Sequence, residues 1–263
     1  MKPDYQNWVP LRVLYGLTAV TGICLLLSFL LLFFPVFTAG LVKTVLLVFL
    51  LAASAVSGIF GLWFFYLYRS FSYHGKKRMA ARIIEKIVTY VEIPEGGKGL
   101  DVGCGSGALT IACAKRNPQA CILGIDTWSG PYASYSRERC EENARAEKVE
   151  NALFQKGDAF RLDFPDESFD AVMSNYVYHN IPFADRQALL AETLRTLKKG
   201  GCFVIHDLMS RWRYGDMKAF AEKLRAGGFQ EVHFINTAEG LFMTRREALP
   251  LGLASSALFF GRK

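Results

Sequence analysis

The sequence predicts an α/β fold, a twisted and mostly parallel sheet with helices on both faces, set behind two helices long enough to cross a membrane. Three observations carry that expectation. From Leu11 to Tyr68 the only charged residues are Arg12 and Lys43, whereas from Arg69 onward charges recur every few residues, as on a water-facing surface. A short apolar strand, Lys98 to Val102, runs straight into alternating glycines at Gly103, Gly105 and Gly107 and then into the helix-like stretch Ala108 to Lys115. Further apolar strands at 121–125, 171–175 and 201–205 each end in polar residues, and an antiparallel pair, 230–236 and 256–262, closes the series.

In chain order the apolar segment comes first. Val13 to Phe34 is twenty-two residues without a charge, and at about 1.5 Å per residue it spans the roughly 30 Å of a bilayer core. Pro35 ends it, a connection through Gly40 and Lys43 follows, and Thr44 to Tyr68 supplies a second uncharged span. A cleaved signal peptide would have a shorter apolar core and no second span. Lys2 and Arg12 precede the first helix, and Arg69, Lys76, Lys77, Arg78 and Arg82 follow the second. By the positive-inside rule both ends face the cytoplasm, with Lys43 on the far side. The aromatic run Trp63, Phe64, Phe65, Tyr66, Tyr68, Phe71 and Tyr73 fits a headgroup-level belt. Three parts are expected: a membrane hairpin over 1–70, an amphipathic linker helix within 71–97 and a catalytic domain over 98–263. In the linker, Met79, Ile83, Ile84, Ile87, Val88 and Val91 share one helical face. That face covers the catalytic sheet or, with its basic start, lies on anionic lipid.

Charge and cysteine usage narrow the function. The net charge is +7, but residues 1–95 hold nine Lys/Arg against four Asp/Glu, leaving twenty-two against twenty for the rest. A near-neutral catalytic part has no broad footprint for a polyanion, so no nucleic-acid partner is expected. The six cysteines show no CxxC pair and no Cys/His cluster. They read as reduced thiols, and no metal site is expected.

The ligand signals are sequential. Glycines let the backbone turn tightly and approach a ligand at a helix N-terminus. The dinucleotide fingerprint GxGxxG is not matched, since here the glycines alternate and Asp101 stands two residues before the first. The strand at 121–125 ends in Asp126, placed to accept hydrogen bonds from a ribose. A third element follows: Phe154-Gln155-Lys156-Gly157-Asp158-Ala159, then LDFPDESFD over 162–170, then the strand 171–175. This series closely resembles the type 11 class I S-adenosylmethionine-dependent methyltransferases, strongly from Gly99 to about Asp207 and loosely to Lys263. The hairpin lies outside the resemblance.

The resemblance implies a Rossmann-like, seven-stranded methyltransferase sheet with a reversed last strand, and S-adenosyl-L-methionine as cofactor. It assigns Asp101 and Gly103 to the methionine moiety, Asp126 to the ribose, and Asp158 with the Ala159 amide to adenine. Gly105, Gly107, Thr127 and Asn175 join the cofactor set, and Trp128 is a candidate for the adenine face. The bland alternatives are caps or turns for Asp101 and Asp158 and a core or lid aromatic for Trp128.

Methyl transfer from a sulfonium needs alignment of an acceptor lone pair, and a base only where the acceptor must lose a proton. Ser174-Asn175-Tyr176-Val177-Tyr178-His179-Asn180 leaves the fourth strand at the edge where ligands of open α/β sheets bind. It resembles the family's Ser-x-x-x-Leu-His-His stretch but carries Tyr178 and Asn180 around a single His179. His179 is a candidate base; His206 and Asp207, after the fifth strand, are weaker ones, and each histidine has a structural alternative. Tyr176, Tyr178 and Trp212 are candidate pocket walls, and Arg211 and Arg213 candidate contacts for phosphate headgroups. The expected acceptor is small and hydrophobic or membrane-associated, of lipid or isoprenoid type. A small thiol or phenol is the enzymatic alternative, and a non-catalytic cofactor-binding membrane module the alternative of another class.

Overall fold

The computed structural model describes residues 2–34, 40–129 and 135–263. The chain divides into two compact units, one formed by residues 6–81 and the other by residues 82–263 together with the first five.

The smaller unit is a helical hairpin. Helix α1 covers Leu11–Phe33 and α2 covers Leu41–Phe71, so Lys43 lies in the first turn of α2 rather than in the connection. Pro35, expected to end α1, lies outside the described residues. Both helices are long and apolar enough to cross a membrane. The hairpin is polar inside and apolar outside: Ser28, Ser54 and Ser57 are buried, while Ile23, Leu26, Phe49 and Leu62 are exposed. Thr21 Oγ1 meets Ser57 Oγ at 2.8 Å, and each hydroxyl also donates to a carbonyl one turn earlier in its own helix. A Cβ on Gly58 or Gly61 would only touch Thr21 and Leu17, which shows how closely the helices approach. Small residues at the contact with apolar residues outward is the packing expected when lipid is the solvent. Asn7 Nδ2 donates to the Tyr68 carbonyl at 2.7 Å and Trp8 packs on Phe71, joining the start of α1 to the end of α2.

The linker helix is shorter than its apolar period implies. Helix α3, Met79–Ile87, gives way to a single 3-10 turn at Val88–Tyr90.

The larger unit is built on one sheet. Its strands are β1 Lys98–Val102, β2 Cys121–Asp126, β3 Ala152–Lys156, β4 Phe169–Asn175, β5 Leu197–Leu208, β6 Glu231–Asn236 and β7 Ser256–Arg262. Their order is β3-β2-β1-β4-β5-β7-β6. The first five are parallel and β7 runs antiparallel to both its neighbours. This is the predicted seven-stranded sheet with a reversed last strand. Leu100, Val102 and Val172 are fully buried, as continuous apolar strands covered on both faces should be. Helices α4 Ala108–Arg116, α5 Arg137–Ala146, α6 Arg186–Arg195 and α8 Met217–Ala226 alternate with the strands. Leu189, Leu190 and Leu194 of α6 and Phe220 of α8 join Phe203 and Phe259 in the core. The fifth strand starts four residues before the expected 201, taking in the polar Lys198 and Lys199 and the paired glycines, with a register shift against β4.

The topology sends the ends of β1, β2, β4 and β5 to one edge. Ser174 Oγ donates to the Val102 carbonyl at 2.8 Å, locking the exit of β4 beside that of β1. The first residues of the chain belong to this unit. Asp4 N–H donates to Asn143 Oδ1 at 2.7 Å, Asn143 Nδ2 donates back to the Asp4 carbonyl, and Ser106 Oγ donates to the Tyr5 carbonyl at 2.8 Å.

All seven strands lie beyond the hairpin, so a chain begun at His74 is expected to unfold cooperatively and still show the α/β circular-dichroism spectrum. Losing the Asp4 and Tyr5 bonds, at about 1 kcal/mol each, should lower its melting temperature by roughly 5 °C or more. Aggregation or non-cooperative melting would contradict an independent sheet unit.

Candidate active site

The glycine turn leaves β1 with positive φ at Gly103, +76°, a region that favours glycine. Its missing side chain matters more. A Cβ there would lie 2.3 Å from Val177 Cγ2, so the turn can press against the segment leaving β4 only because residue 103 has none. Gly103 and Cys104 N–H both donate to the Ile125 carbonyl, fastening the same turn to β2.

Asp101 is fully buried beneath the turn and accepts a 2.6 Å hydrogen bond from Thr110 Oγ1 of α4. Burial pushes its carboxyl up to about 7, with the Thr110 bonds opposing and the charge of Asp126 adding to the rise. Asp126, at the end of β2, holds two backbone amides: Gly105 N–H at 2.9 Å and Trp128 N–H at 2.8 Å. The Trp128 indole N–H then donates to the Gly105 carbonyl at 2.9 Å, closing a ring of bonds around the glycine turn. The structure therefore gives Trp128 a turn-bracing contact in addition to the adenine contact expected of it. Thr127 is exposed beside them, its hydroxyl paired with that of Ser129. Gly157 N–H donates to the Asp126 carbonyl, bringing the end of β3 alongside. One residue on, Asp158 Oδ1 accepts from Phe160 N–H in a two-residue side-chain turn, and Ala159 is half-buried. Gly107 begins α4 as its left-handed N-cap.

The exit of β4 carries the second cluster. His179 sits in a single 3-10 turn, Tyr178–Asn180, two residues past Val177. Its Nδ1 is bonded to the Asp207 carboxylate, which is fully buried at the end of β5. Asp207 also accepts from Tyr214 Oη at 2.8 Å and from the His179 and Leu208 amides. Burial alone would raise its pKa, but the hydrogen bond and charge of His179, with the Tyr214 and Leu208 bonds, outweigh it and hold Asp207 below the usual carboxylate range. An ionised carboxylate only accepts, so the nitrogen of His179 facing Asp207, Nδ1, carries a proton, and Nε2 is the nitrogen left to exchange one with a substrate.

The neighbouring histidine is arranged otherwise. His206 is fully buried, with Nδ1 bonded to Asn175 Oδ1 at 2.9 Å and Nε2 to Thr237 Oγ1 at 3.0 Å. Burial pushes its pKa down to about 3. It is a neutral, doubly bonded spacer with no lone pair left for substrate, and Asn175 is held in the same pair. Tyr176 packs edge-on to both histidines and shares a 2.7 Å hydrogen bond with Ser256. Phe242, buried and 5.1 Å from His206 between ring centroids, extends that wall. Tyr178, expected on the wall, is instead fully buried and bonded to Thr193 Oγ1 of α6, because the 3-10 turn rotates it into the core. Trp212 is 83% exposed on α7, Arg211–Tyr214, and faces water. Sequence reasoning missed Tyr214, Thr237, Thr110 and Asn143. Thr237 and Asn143 act on residues far along the chain, whereas Thr110 and Tyr214 act within ten residues and lay in segments the sequence had singled out, the helix after the glycines and the stretch around Arg211-Trp212-Arg213.

Residues 100–205 match the family described as "Methyltransferase domain". Curated relatives include a sterol 24-C-methyltransferase of Aspergillus fumigatus, 31% identical over 57% of this chain and 38% of that protein. They also include a demethylmenaquinone methyltransferase of Deinococcus radiodurans, 37% identical over 40% of this chain and 41% of that protein. The chain spans about half the length, or less, of the curated relatives it matches. Among solved structures, the [4+2]-cyclase SpnF aligns with a TM-score of 0.54 at 21% identity over 71% of this chain and 82% of that one, a likeness of fold.

The residues fit S-adenosylmethionine. Asp126 retains lone pairs beyond its two amide contacts for ribose hydroxyls, the glycine turn leaves backbone open to close approach, and Asp101 is a buried acid whose ionised form an ammonium group would favour. Two outcomes follow. Asp126→Ala should weaken cofactor binding by about 1.5 to 3 kcal/mol, measured by calorimetric titration, through loss of charge-assisted bonds. An unchanged dissociation constant in a folded variant would remove Asp126 from the site. Asp101 is mostly protonated below about pH 7 in the free protein. Binding that needs the carboxylate should therefore weaken as pH falls, approaching tenfold per unit well below that value, and release a proton. Buffer-independent heats and a constant affinity from pH 7 to 5.5 would contradict this.

Proposed function

Since residues 100–205 match the methyltransferase-domain family, we propose that the chain is an S-adenosylmethionine-dependent enzyme that transfers a methyl group to a small, hydrophobic, membrane-associated acceptor, with His179 as general base. The observation that carries this is the packing of Gly103 on Val177, the residue two before His179, whose ring is paired with buried Asp207. When bound, the cofactor supplies an already activated methyl group, so the protein's task is alignment and, for some acceptors, proton removal.

Asp101, Gly103, Gly105 and Gly107 hold the methionine side of the cofactor, Asp126 and Thr127 the ribose, and Asp158, Ala159 and Trp128 the adenine. Asn175, fixed by His206, keeps the exit of β4 in register with β5. Buried Asp207 fixes the His179 tautomer and offsets the charge His179 gains when Nε2 takes the acceptor's proton. His206, neutral and fully buried, holds Asn175 and packs against Tyr176 without handling a proton. Tyr176 and Phe242 give the edge an apolar, aromatic wall. The His–Asp pair favours an acceptor that must lose a proton, a hydroxyl, phenol or acidic carbon, over an amine that is already nucleophilic.

Two features support a membrane-associated acceptor. Relatives named for a sterol and for demethylmenaquinone act on large apolar molecules. The hairpin also buries hydroxyls and exposes leucines and phenylalanines, as a pair of membrane spans would. On this reading α1 and α2 cross the bilayer, and the basic residues at 69–82 keep the catalytic domain on the cytoplasmic side.

Detergent-purified protein given methyl-labelled cofactor should label a membrane-lipid extract and leave the aqueous extract unlabelled. On the acceptor so found, His179→Gln should keep cofactor affinity within about twofold while lowering turnover roughly a hundredfold and flattening its pH profile. Equal turnover across pH in both proteins would reduce His179 to a structural residue.

A further inference from the structure

The larger unit exposes two large aromatics beside the acceptor edge for which the fold has no use. Phe183, three residues past the His179 turn, is fully exposed. Its φ of +55° is an unfavourable backbone setting for a bulky side chain that gains no packing from it. Trp212 lies on α7 with the Arg213 guanidinium 5.4 Å from its ring centroid. From the same short helix Tyr214 turns inward to Asp207, so α7 shows one aromatic to water and gives the other to the catalytic pair.

The surroundings are cationic. An open cleft of about 470 Å³ is lined by Arg186, Arg213 and Lys223, with Asp185 and Asp216. Asp185 is two residues from Phe183, and Arg211, its side chain almost fully exposed, reaches Asp216 at 3.7 Å. Both acids are already occupied: Asp185 accepts the first amides of α6 and Asp216 those of α8. Arg211, Arg213 and Lys223 therefore stand against two carboxylates committed to helix caps, while the Arg186 guanidinium is turned onto the Ile181 and Ala184 carbonyls. Exposed tryptophan and phenylalanine with arginines around them are the composition of a lipid-interface anchor, the rings at headgroup depth and the guanidiniums on phosphates.

We propose that Phe183, Trp212, Arg211, Arg213 and Lys223 form an interfacial surface that seats the acceptor edge on an anionic phospholipid bilayer. This rests on the membrane reading of the hairpin above and adds a second contact of different chemistry. Seating this face places the mouth beside His179 at the headgroup layer, where an apolar acceptor can enter without crossing water. The Tyr214–Asp207 bond joins the seated helix to the base.

The test uses the full chain in nanodiscs of brominated phospholipid, which quenches tryptophans that reach the acyl boundary. The protein has four tryptophans, so wild type minus Trp212→Phe isolates the Trp212 signal, and Trp212→Phe minus Trp212→Phe with Trp8→Phe and Trp63→Phe isolates that of the hairpin, leaving Trp128 as the common background. In phosphatidylglycerol discs the Trp212 signal should be quenched at least about twofold, and Arg211→Ala with Arg213→Ala or roughly half-molar salt should restore it. An unquenched Trp212 signal with a quenched hairpin overturns this surface and leaves the hairpin reading standing. No quenching of either overturns both. Equal quenching in purely zwitterionic discs overturns the role given to the cations, and loss of quenching on dilution, marking contact between two copies of the chain, overturns lipid as the occupant.

Discussion

Residue 103 has no room for a side chain, and the functional geometry depends on that. With Val177 methyls standing 2.3 Å from where a Cβ would lie, any larger residue must part the exits of β1 and β4. Those exits carry the two halves of the proposed site, the glycine turn on one side and His179 on the other. The sheet brings them near; the bare glycine backbone brings them together. Ser174, reaching across to the Val102 carbonyl, holds the same approach from within the sheet.

Around that contact the polar groups fall into two closed sets. In the first, Asp126, Gly105 and Trp128 satisfy one another and leave carboxylate lone pairs outward. In the second, a fully buried Asp207 gathers His179, Tyr214 and its own strand's amides. A buried charge is tolerated only when paired and hydrogen-bonded, and Asp207 meets that condition through the residue that needs it for a fixed tautomer. The contrast with His206 is instructive. One strand position earlier and bonded at both nitrogens, it is neutral and spent on structure.

What the sequence made legible was local. Strand, glycine turn and helix succeed one another between Lys98 and Arg116, and acids stand at the strand ends, so the sheet and its reversed last strand could be read. The apolar hairpin was legible for the same reason, with both helices starting two or three residues earlier, α1 ending one residue sooner and α2 running on to Phe71. Pairings across long separations were not. That His179 meets Asp207 depends on β4 and β5 becoming neighbours, and that Asn143 clamps Asp4 beside the glycine turn depends on where the first residues of the chain return. Burial misled where polarity suggested function: Tyr178 and His206 look like site residues in a polar stretch, but a 3-10 turn and the β4–β5 register carry them into the core.

The central claim is that the cofactor turn and the His179 base form a single site. Ring-nitrogen NMR of the full chain in nanodiscs tests it directly, since there are only four histidines and each has a distinct setting. Saturation with S-adenosylhomocysteine should shift the His179 Nε2 resonance, with Nδ1 protonated throughout, and leave His233 on the distant edge strand unmoved. A saturated protein whose His179 resonances do not move, or whose proton resides on Nε2, would contradict the account.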